Sequence, residues 1–368
     1  MVDLSLFEHL TAQCERLCAT LAIDPSPATV LLADLLGPAG SRPLSRPPAR
    51  PSNVADDHTP VEFSVAFNEH EQPSLRILAE AMGPERGAGA DIAAGLRFLA
   101  TQQTRFGVSM SRFDSVRDLF ITERPDGEFA LWHSLVFRRD RPPEFKVYLN
   151  PEVDGVERAP DLVAEALRRL GLDGSYRTML NHSVRPGELG RADRLTFFAL
   201  DLHDGPHARV KLYLSHHGAT TRDVVRAADA VPGIDAEEFA EFCKAAGDGV
   251  DSFTGRPLVG SYTFLGGVDR PVGYSVYVPI RGYVSDDEEA RDRVVGLLDR
   301  YGYDSARFGR VLAAVARRPL RAGVGLIAHV SLRLGLPRPG VTVYLSSEAY
   351  GVSPPRQRSL STVPDHVV

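Results

Sequence analysis

The chain has 368 residues, of which 43% are hydrophobic and 24% charged, a balance typical of a globular protein with a large core. Its formal net charge of −6 argues against a general binder of nucleic acid or of a membrane surface, but not against a local basic pocket. No apolar run is long enough to span a bilayer, and the N-terminus does not read as a signal peptide. The three cysteines show no disulfide framework and no metal-site spacing, so we predict reduced thiols and a cytoplasmic protein.

The predicted elements begin with an amphipathic helix at residues 3–22, where apolar side chains recur at helical spacing. Residues 37–58 are rich in proline, serine and arginine and are predicted to form a long loop. Five units of similar length follow between about residues 60 and 350. We therefore predict one domain over residues 1–352, and the composition of residues 353–368 predicts a flexible tail.

A repeated strand with the pattern K-x-Y or a close variant marks the units. It reads FKVYLNP at 145–151, VKLYLS at 210–215, YSVYVPI at 274–280 and VTVYLSS at 341–347, with a weaker copy, LRILAEA, at 75–81. An apolar strand precedes each copy and a helical stretch follows most of them, so each unit is predicted to be a β-hairpin flanked by helices. Because hairpins pair antiparallel strands, this organisation excludes a nucleotide-binding fold of parallel strands.

Five hairpins supply ten antiparallel strands, and closing such a sheet into a barrel removes both unpaired edges. Valine and leucine alternate with charged and phenolic residues along the repeated strands, and the flanking helices need an apolar surface to cover. We therefore predict an α/β architecture in which a ten-stranded barrel is surrounded by a ring of α-helices. The interior would then be lined by the alternate residues Glu62, Ser64, Arg76, Lys146, Tyr148, Arg209, Lys211, Tyr213, Ser275, Tyr277, Ser331, Arg333, Thr342 and Tyr344.

This predicted interior indicates a particular chemistry. Several cations in one cavity repel each other and lose hydration, so they favour a multiply charged anion such as a phosphate ester. Tyrosine rings beside that anion would stabilise a carbocation through cation–π attraction, at about 0.5–2 kcal/mol each. For any single K-x-Y strand, a solvent-exposed edge strand with a solvated lysine is a more common interpretation than a ligand site. Four spaced copies with the same alternation favour the ligand site instead.

The K-x-Y strands in units of about 65 residues, together with R-x-K-x-Y at 209–213 and VEF at 61–63, resemble the dimethylallyl-tryptophan-synthase type of aromatic prenyltransferase. The fold of that family is the ABBA or PT barrel, and the resemblance covers about residues 60–350. It implies transfer of a dimethylallyl group from dimethylallyl diphosphate to the indole ring of L-tryptophan or of a tryptophan-derived acceptor. It also implies that neither a metal nor another cofactor is required.

The resemblance assigns roles to individual residues. Glu62 matches the acidic residue that accepts the indole N–H, and His133 on the strand before Lys146 is a second candidate base, unless it is simply a packed histidine. Ser275 stands where several members have glutamine, which puts that diphosphate contact in doubt. The implied diphosphate contacts are Arg76, Lys146, Arg209, Lys211, Ser275 and Arg333. The implied cation shield is Tyr148, Tyr213, Tyr277 and Tyr344.

Two other functions stay open on the sequence alone. One is prenylation of a phenolic or naphthalene acceptor on a related barrel, and the other is a non-catalytic barrel that binds a phosphorylated ligand. The expected partners are the two substrates alone, without nucleic acid or membrane, and the chain is expected to be a monomer or a homodimer. The position of prenylation on the acceptor is not predicted.

Overall fold

The structure is a computed structural model that describes residues 3–47, 50–84, 87–122, 125 and 129–356. Its strands are β1 Val61–Asn68, β2 Ser74–Glu80, β3 Leu131–Phe137, β4 Glu144–Leu149, β5 Asp193–Asp201, β6 Val210–His216, β7 Ala219–Thr220, β8 Ser252–Phe253, β9 Leu258–Phe264, β10 Gly273–Val278, β11 Ile327–Gly335 and β12 Gly340–Ser346. Its helices are α1 Leu6–Leu21, α2 Pro25–Leu36, α3 Ala88–Phe106, α4 Ser111–Asp114, α5 Arg117–Phe120, α6 Ala159–Arg169, α7 Asp173–Ser183, α8 Thr221–Ala228, α9 Glu237–Ala246, α10 Asp287–Arg300 and α11 Ser305–Val315.

Ten of the strands form one closed antiparallel barrel, in the order β1-β12-β11-β10-β9-β6-β5-β4-β3-β2. Its hairpins are β1–β2, β3–β4, β5–β6, β9–β10 and β11–β12, and β7 pairs only with β8. The predicted fold class is confirmed. The five hairpin turns lie together at one end of the barrel, which we call the hairpin end, and the chain enters and leaves the hairpins at the other, the helix end.

The outer face of the barrel forms the core of the protein. Phe145, Val147 and Leu149 of β4 point away from the barrel axis and are at most 7% exposed, packed in one apolar cluster with the helices. The helices complement this surface because each carries an apolar stripe, such as Leu162 and Leu167 of α6. Burying each such side chain contributes about 1.5–3 kcal/mol, so the aliphatic alternation fixes which face turns inward.

Elements outside the barrel agree with the sequence prediction in the described residues. The predicted helix at 3–22 is α1, and the predicted loop at 37–58 contains one 3₁₀ turn, Gly37–Ser41, and otherwise no helix or strand where it is described. Of the predicted tail, residues 357–368 lie outside the described part of the chain. Across the described residues, no helix combines the length and the apolar character needed to cross a membrane.

Two irregularities change the alternation inside the barrel. The pairing of β5 with β6 shifts between Leu195 and Phe197, and the pairing of β11 with β12 shifts between Ile327 and His329. An extra residue on one strand reverses the face that follows it. As a result, Leu195 and Ile327 pack in the outer core, whereas Phe197 and His329 line the interior.

Candidate active site

Four tyrosines form a belt across the middle of the barrel. Each is the tyrosine of a repeated strand: Tyr148 on β4, Tyr213 on β6, Tyr277 on β10 and Tyr344 on β12. Consecutive ring centroids are 5.6, 5.7 and 5.8 Å apart, and the hydroxyls of Tyr148 and Tyr213 are 3.0 Å apart. Leu78 occupies the corresponding place on β2. All five side chains line two cavities, so this tyrosine belt divides the interior into two compartments.

The compartment on the hairpin side of the belt is cationic, with a cavity of about 70 Å³. The structure brings the six residues predicted to hold a diphosphate together there: Arg76, Lys146, Arg209, Lys211, Ser275 and Arg333. They converge because equivalent positions of successive hairpins meet at one level of a closed barrel. Arg333 pairs directly with Ser275 and points inward.

Asp201 neutralises part of this charge and was not predicted. It is paired in register with Lys146, and its carboxylate lies 2.7 Å from Lys146 Nζ and 2.5 Å from Arg209 Nε. Burial opposes ionisation of Asp201, but the two cations hold the pKa of its carboxyl well below the usual range. Burial lowers the pKa of Lys146 to about 8, with Asp201 acting in the opposite direction. The cations are therefore positioned before any ligand binds.

Lys211 lies between the cationic compartment and the tyrosine belt. Its ammonium group is 3.3 Å from the Tyr277 hydroxyl and 5.1 Å from the centre of the Tyr213 ring. Burial opposes ionisation of Tyr277, but the charge of Lys211 and hydrogen bonds from neighbouring groups lower the pKa of its hydroxyl to about 7. By contrast, burial raises the pKa of the Tyr213 and Tyr344 hydroxyls well above the ordinary value.

Arg333 is held by groups at the hairpin end. Its Nε donates to the Arg338 carbonyl at 2.7 Å, and its Nη2 donates to Asn68 Oδ1 at 2.5 Å. Burial lowers the pKa of Arg333 to about 10, and the charges of Arg76 and Arg209 act in the same direction. These guanidinium groups are crowded and desolvated, an arrangement that a bound polyanion would relieve.

The compartment on the helix side of the belt is larger and more apolar, with a cavity of about 300 Å³. Trp132 and Phe197 form one wall with ring centroids 5.5 Å apart, and Phe129 stacks behind Trp132 at 4.2 Å. Leu78 and Val54 complete the apolar lining. A flat aromatic acceptor fits such a wall, because aromatic rings pack in offset or tilted pairs at these spacings. We call this cavity the acceptor compartment.

Glu62 lines the acceptor compartment from the second position of the VEF motif. It is 8% exposed, and among the described residues its carboxyl group has neither a hydrogen bond nor an ion pair. Burial raises the pKa of Glu62 to about 8, while the charge of Arg281 acts in the opposite direction. The group is therefore poised to accept a hydrogen bond from a ligand.

A polar corner adjoins Glu62 and was not predicted from the sequence. Asp56 is bridged by Arg281 at 2.6 Å and by Arg256 at 2.7 Å, and Arg281 also lies 3.0 Å from His329 Nδ1. Burial lowers the pKa of His329 well below its ordinary value, and the nearby arginine charges act in the same direction. Asp56 and Arg256 lie in loops, Arg281 lies in the 3₁₀ turn Ile280–Gly282 and His329 follows a bulge, so no repeated pattern marks them.

The prediction that His133 is a candidate base requires correction. On β3, Trp132 and Ser134 face the interior, and His133 points outward against α3. Its ring lies 5.0 Å from that of Phe98, is 1% exposed and has no hydrogen-bond partner among the described residues. Burial lowers the pKa of His133 to about 3. The residue is a packed histidine, and it does not reach the reacting groups.

The described residues contain no group of three or more histidine, cysteine, aspartate or glutamate side chains arranged to hold a metal ion. The residues that converge in the cationic compartment are lysines and arginines, which bind anions rather than metals. The main chemical feature of the barrel is thus a cationic compartment and an aromatic compartment separated by one belt of tyrosines.

Comparison with known proteins identifies the family of this barrel. A family model described as tryptophan dimethylallyltransferase matches residues 29–309. A 6-dimethylallyl tryptophan synthase is 65% identical, with a TM-score of 0.94, over 97% of this chain and 100% of that chain. The 6-dimethylallyltryptophan synthase of Micromonospora olivasterospora, solved with DMASPP and Trp, is 66% identical over 96% of this chain and 100% of that chain, with a TM-score of 0.93.

A more distant relative has the same fold. The 5-dimethylallyl tryptophan synthase of Streptomyces coelicolor, also solved with DMASPP and Trp, is 34% identical over 97% of this chain and 99% of that chain, with a TM-score of 0.87. The chain therefore belongs to the tryptophan dimethylallyltransferase family, and it is a prenyltransferase that transfers a dimethylallyl group to an indole.

Proposed function

We propose that the protein transfers the dimethylallyl group of dimethylallyl diphosphate to C6 of L-tryptophan without a metal ion. The observation that carries this proposal is the tyrosine belt, which has converging cations on one side and an aromatic cavity with Glu62 on the other. The choice of acceptor and position is supported by the two relatives at 65–66% identity, both named 6-dimethylallyl tryptophan synthases.

The cationic compartment would bind the diphosphate and promote its departure. As the allylic C–O bond breaks, its electron pair moves to the diphosphate, whose growing charge is stabilised by Lys146, Lys211 and Arg333 (with Arg76 and Arg209 nearby). Preorganised groups of this kind typically lower the barrier by about 3–4 kcal/mol each. They supply the electrostatic stabilisation that a divalent cation would otherwise provide, which is why we propose a metal-independent reaction.

The tyrosine belt would surround the cation that forms. The electron-rich faces of its rings would stabilise the dimethylallyl cation. The enclosed barrel interior would exclude water that could otherwise capture that cation. At the fifth position of the belt the side chain is Leu78 rather than a tyrosine, and Leu78 is paired with Glu62 across β1 and β2. The dimethylallyl cation would therefore meet the acceptor across a short apolar gap.

The acceptor compartment would orient tryptophan. The indole ring would pack against Trp132 and Phe197 while Glu62 accepts the N–H hydrogen bond. The polar corner of Asp56, Arg256 and Arg281 offers groups of both signs to the ammonium and carboxylate of the amino acid. The ring carbon then forms the new C–C bond and loses its proton to a base. Of the acceptors left open by the sequence, the indole is favoured by the relatives named as dimethylallyl tryptophan synthases.

The test is incubation of the purified protein with L-tryptophan, dimethylallyl diphosphate and EDTA. We expect release of diphosphate with an equal amount of prenylated tryptophan, whose NMR spectrum shows substitution at C6. Substitution at another ring position would overturn the assigned position, and dependence on added magnesium would overturn the mechanism.

The cytoplasmic location predicted from the sequence stays a prediction.

A further inference from the structure

A third cavity, of about 210 Å³, lies outside the cationic compartment at the hairpin end of the barrel. We call it the vestibule. Its outer lining comes from the hairpin turns, including the exposed residues Arg141, His203 and His207. It adjoins the cationic compartment through four arginines that line both cavities: Arg76, Arg138, Arg209 and Arg333.

The vestibule extends the positive charge of the interior to solvent. Among the residues that the structure describes, the two cavities together are lined by eight lysines and arginines and by three carboxylates. Each carboxylate already has a basic partner: Asp201 pairs with Lys146 and Arg209, Glu144 with Arg138, and Glu71 with Arg338.

The vestibule also contains donors without partners. The Nε atoms of Arg76 and Arg138 are buried and have no hydrogen-bond partner among the described residues. The guanidinium of Arg141, which is exposed, has no ion pair among the described residues. Unpaired buried donors are costly unless a ligand satisfies them, so Arg76 and Arg138 favour an anion that passes or pauses there. Arg141 is exposed and adds positive charge at the mouth of the vestibule.

The opposite end of the barrel is unsuited to a departing anion. To leave through the acceptor compartment, a diphosphate would have to cross the tyrosine belt, whose rings are 5.6 to 5.8 Å apart. It would then pass the apolar wall of Trp132 and Phe197, and the two arginines at that end, Arg256 and Arg281, are already paired with Asp56. Moving a polyanion across apolar surface is strongly unfavourable.

We propose that the vestibule is the exit through which product diphosphate leaves the enzyme, with Arg138, Arg141 and Arg338 as successive contacts. Prenylated tryptophan leaves from the other end, so the two products depart independently. The inference rests on the proposed function only in that diphosphate binds in the cationic compartment.

The direct test uses radiolabelled inorganic diphosphate bound to the full-length protein and chased with excess unlabelled diphosphate. The chase is run with and without saturating L-tryptophan, and no reaction occurs because neither compound carries a prenyl group. With an exit at the hairpin end, the dissociation rate stays within about twofold when tryptophan fills the acceptor compartment. Slowing by about tenfold or more would show that tryptophan blocks the way out and would overturn the proposal.

A second measurement tests the residues. In the double variant Arg141→Gln/Arg338→Gln, we expect the association rate of diphosphate at low salt to fall about tenfold and its salt dependence to weaken, because entering and leaving anions share one path. Arg191→Gln, an exposed arginine at the helix end that pairs with Glu188, is the matched control and should stay within about twofold. Equal rates in the double variant and the control would overturn the assignment.

The two proposals fail in different ways. A protein that binds no diphosphate, or that prenylates no indole, contradicts the proposed function. A protein that prenylates tryptophan but retains labelled diphosphate whenever tryptophan is present contradicts the exit alone.

Discussion

The two compartments of the barrel are built in different ways. The cationic compartment uses the same positions of successive hairpins, and its charges are organised by cross-strand pairs such as Lys146 with Asp201. The acceptor compartment uses single residues from loops and bulged strands, such as Asp56, Arg256 and His329. This difference indicates that handling of the diphosphate is a property of the repeat, whereas selection of the acceptor depends on residues used once.

Removal of a cationic-compartment lysine should have the largest effect. We expect Lys211→Met to lower kcat about 10²–10³-fold, since one preorganised charge on the leaving group is lost. Lys244→Met, at a partly exposed lysine on α9 far from the barrel interior, is the control and should leave kcat unchanged. Steady-state assay of diphosphate release measures both. A loss smaller than tenfold in K211M would argue that this compartment does not stabilise the leaving group.

Substitution of Asp201 tests the balance of charge within the same compartment. In Asp201→Asn, Lys146 and Arg209 lose their shared partner, so we expect the free energy of unfolding to fall by about 3 kcal/mol. Inorganic diphosphate should then raise the melting temperature of the variant more than that of the wild-type protein, because the anion replaces the missing charge. Equal shifts in both proteins would contradict this account.

Glu62 tests the acceptor compartment. We expect Glu62→Gln to lower kcat/KM for L-tryptophan about 10–100-fold with little change in KM for the donor. Because burial raises the pKa of Glu62 to about 8, the carboxylate form increases between pH 6 and 9. The wild-type value of kcat/KM for tryptophan should therefore rise through this range, and that rise should be absent in E62Q. A parallel rise in the variant would assign the titration to another group.

The belt between the compartments is tested by Tyr344. Replacement by leucine removes one ring from the cation, and we expect a 2–30-fold loss of prenyl transfer, corresponding to about 0.5–2 kcal/mol. The same variant should form more dimethylallyl alcohol, because water competes better for the cation. Tyr344→Phe keeps the ring and should lie close to wild type in both measurements. Similar alcohol formation in the leucine and phenylalanine variants would contradict a shielding role.

The smallest effect is expected at His133. The residue packs outside the barrel against Phe98, and both of its ring nitrogens are without partners among the described residues. His133→Phe should therefore keep kcat within about twofold and leave stability nearly unchanged, since an unsatisfied polar group is replaced by a ring of similar shape. A loss of activity with retained folding would restore His133 as a candidate base.

The sequence predicted the barrel and the cationic compartment because both follow from alternation repeated in five units. Lys146, Lys211 and the four tyrosines lie on the same face of their strands, so one correct choice of face placed all of them. Arg333 followed from the same alternation once its pairing with Ser275 was known.

The acceptor compartment was largely beyond the sequence. Phe197 and His329 follow bulges that reverse the alternation, and nothing in a single sequence marks the extra residue. Asp56 and Arg256 lie in loops whose approach to the barrel depends on the whole fold. Asp201 could have been found, because an opposite charge facing Lys146 on the next strand is a common cross-strand pair. His133 was misplaced because Lys146 pairs with Ser134 on β3, so Ser134 shares the inner face and the neighbouring His133 must point outward.

The central claim is that diphosphate and indole occupy opposite sides of the tyrosine belt. The most direct measurement is a crystal structure of the protein with L-tryptophan and a non-ionisable analogue of dimethylallyl diphosphate. We predict that the diphosphate contacts Lys146, Lys211 and Arg333, and that the indole nitrogen lies within hydrogen-bond distance of Glu62. Both ligands on one side of the belt, or an indole nitrogen turned away from Glu62, would contradict the account.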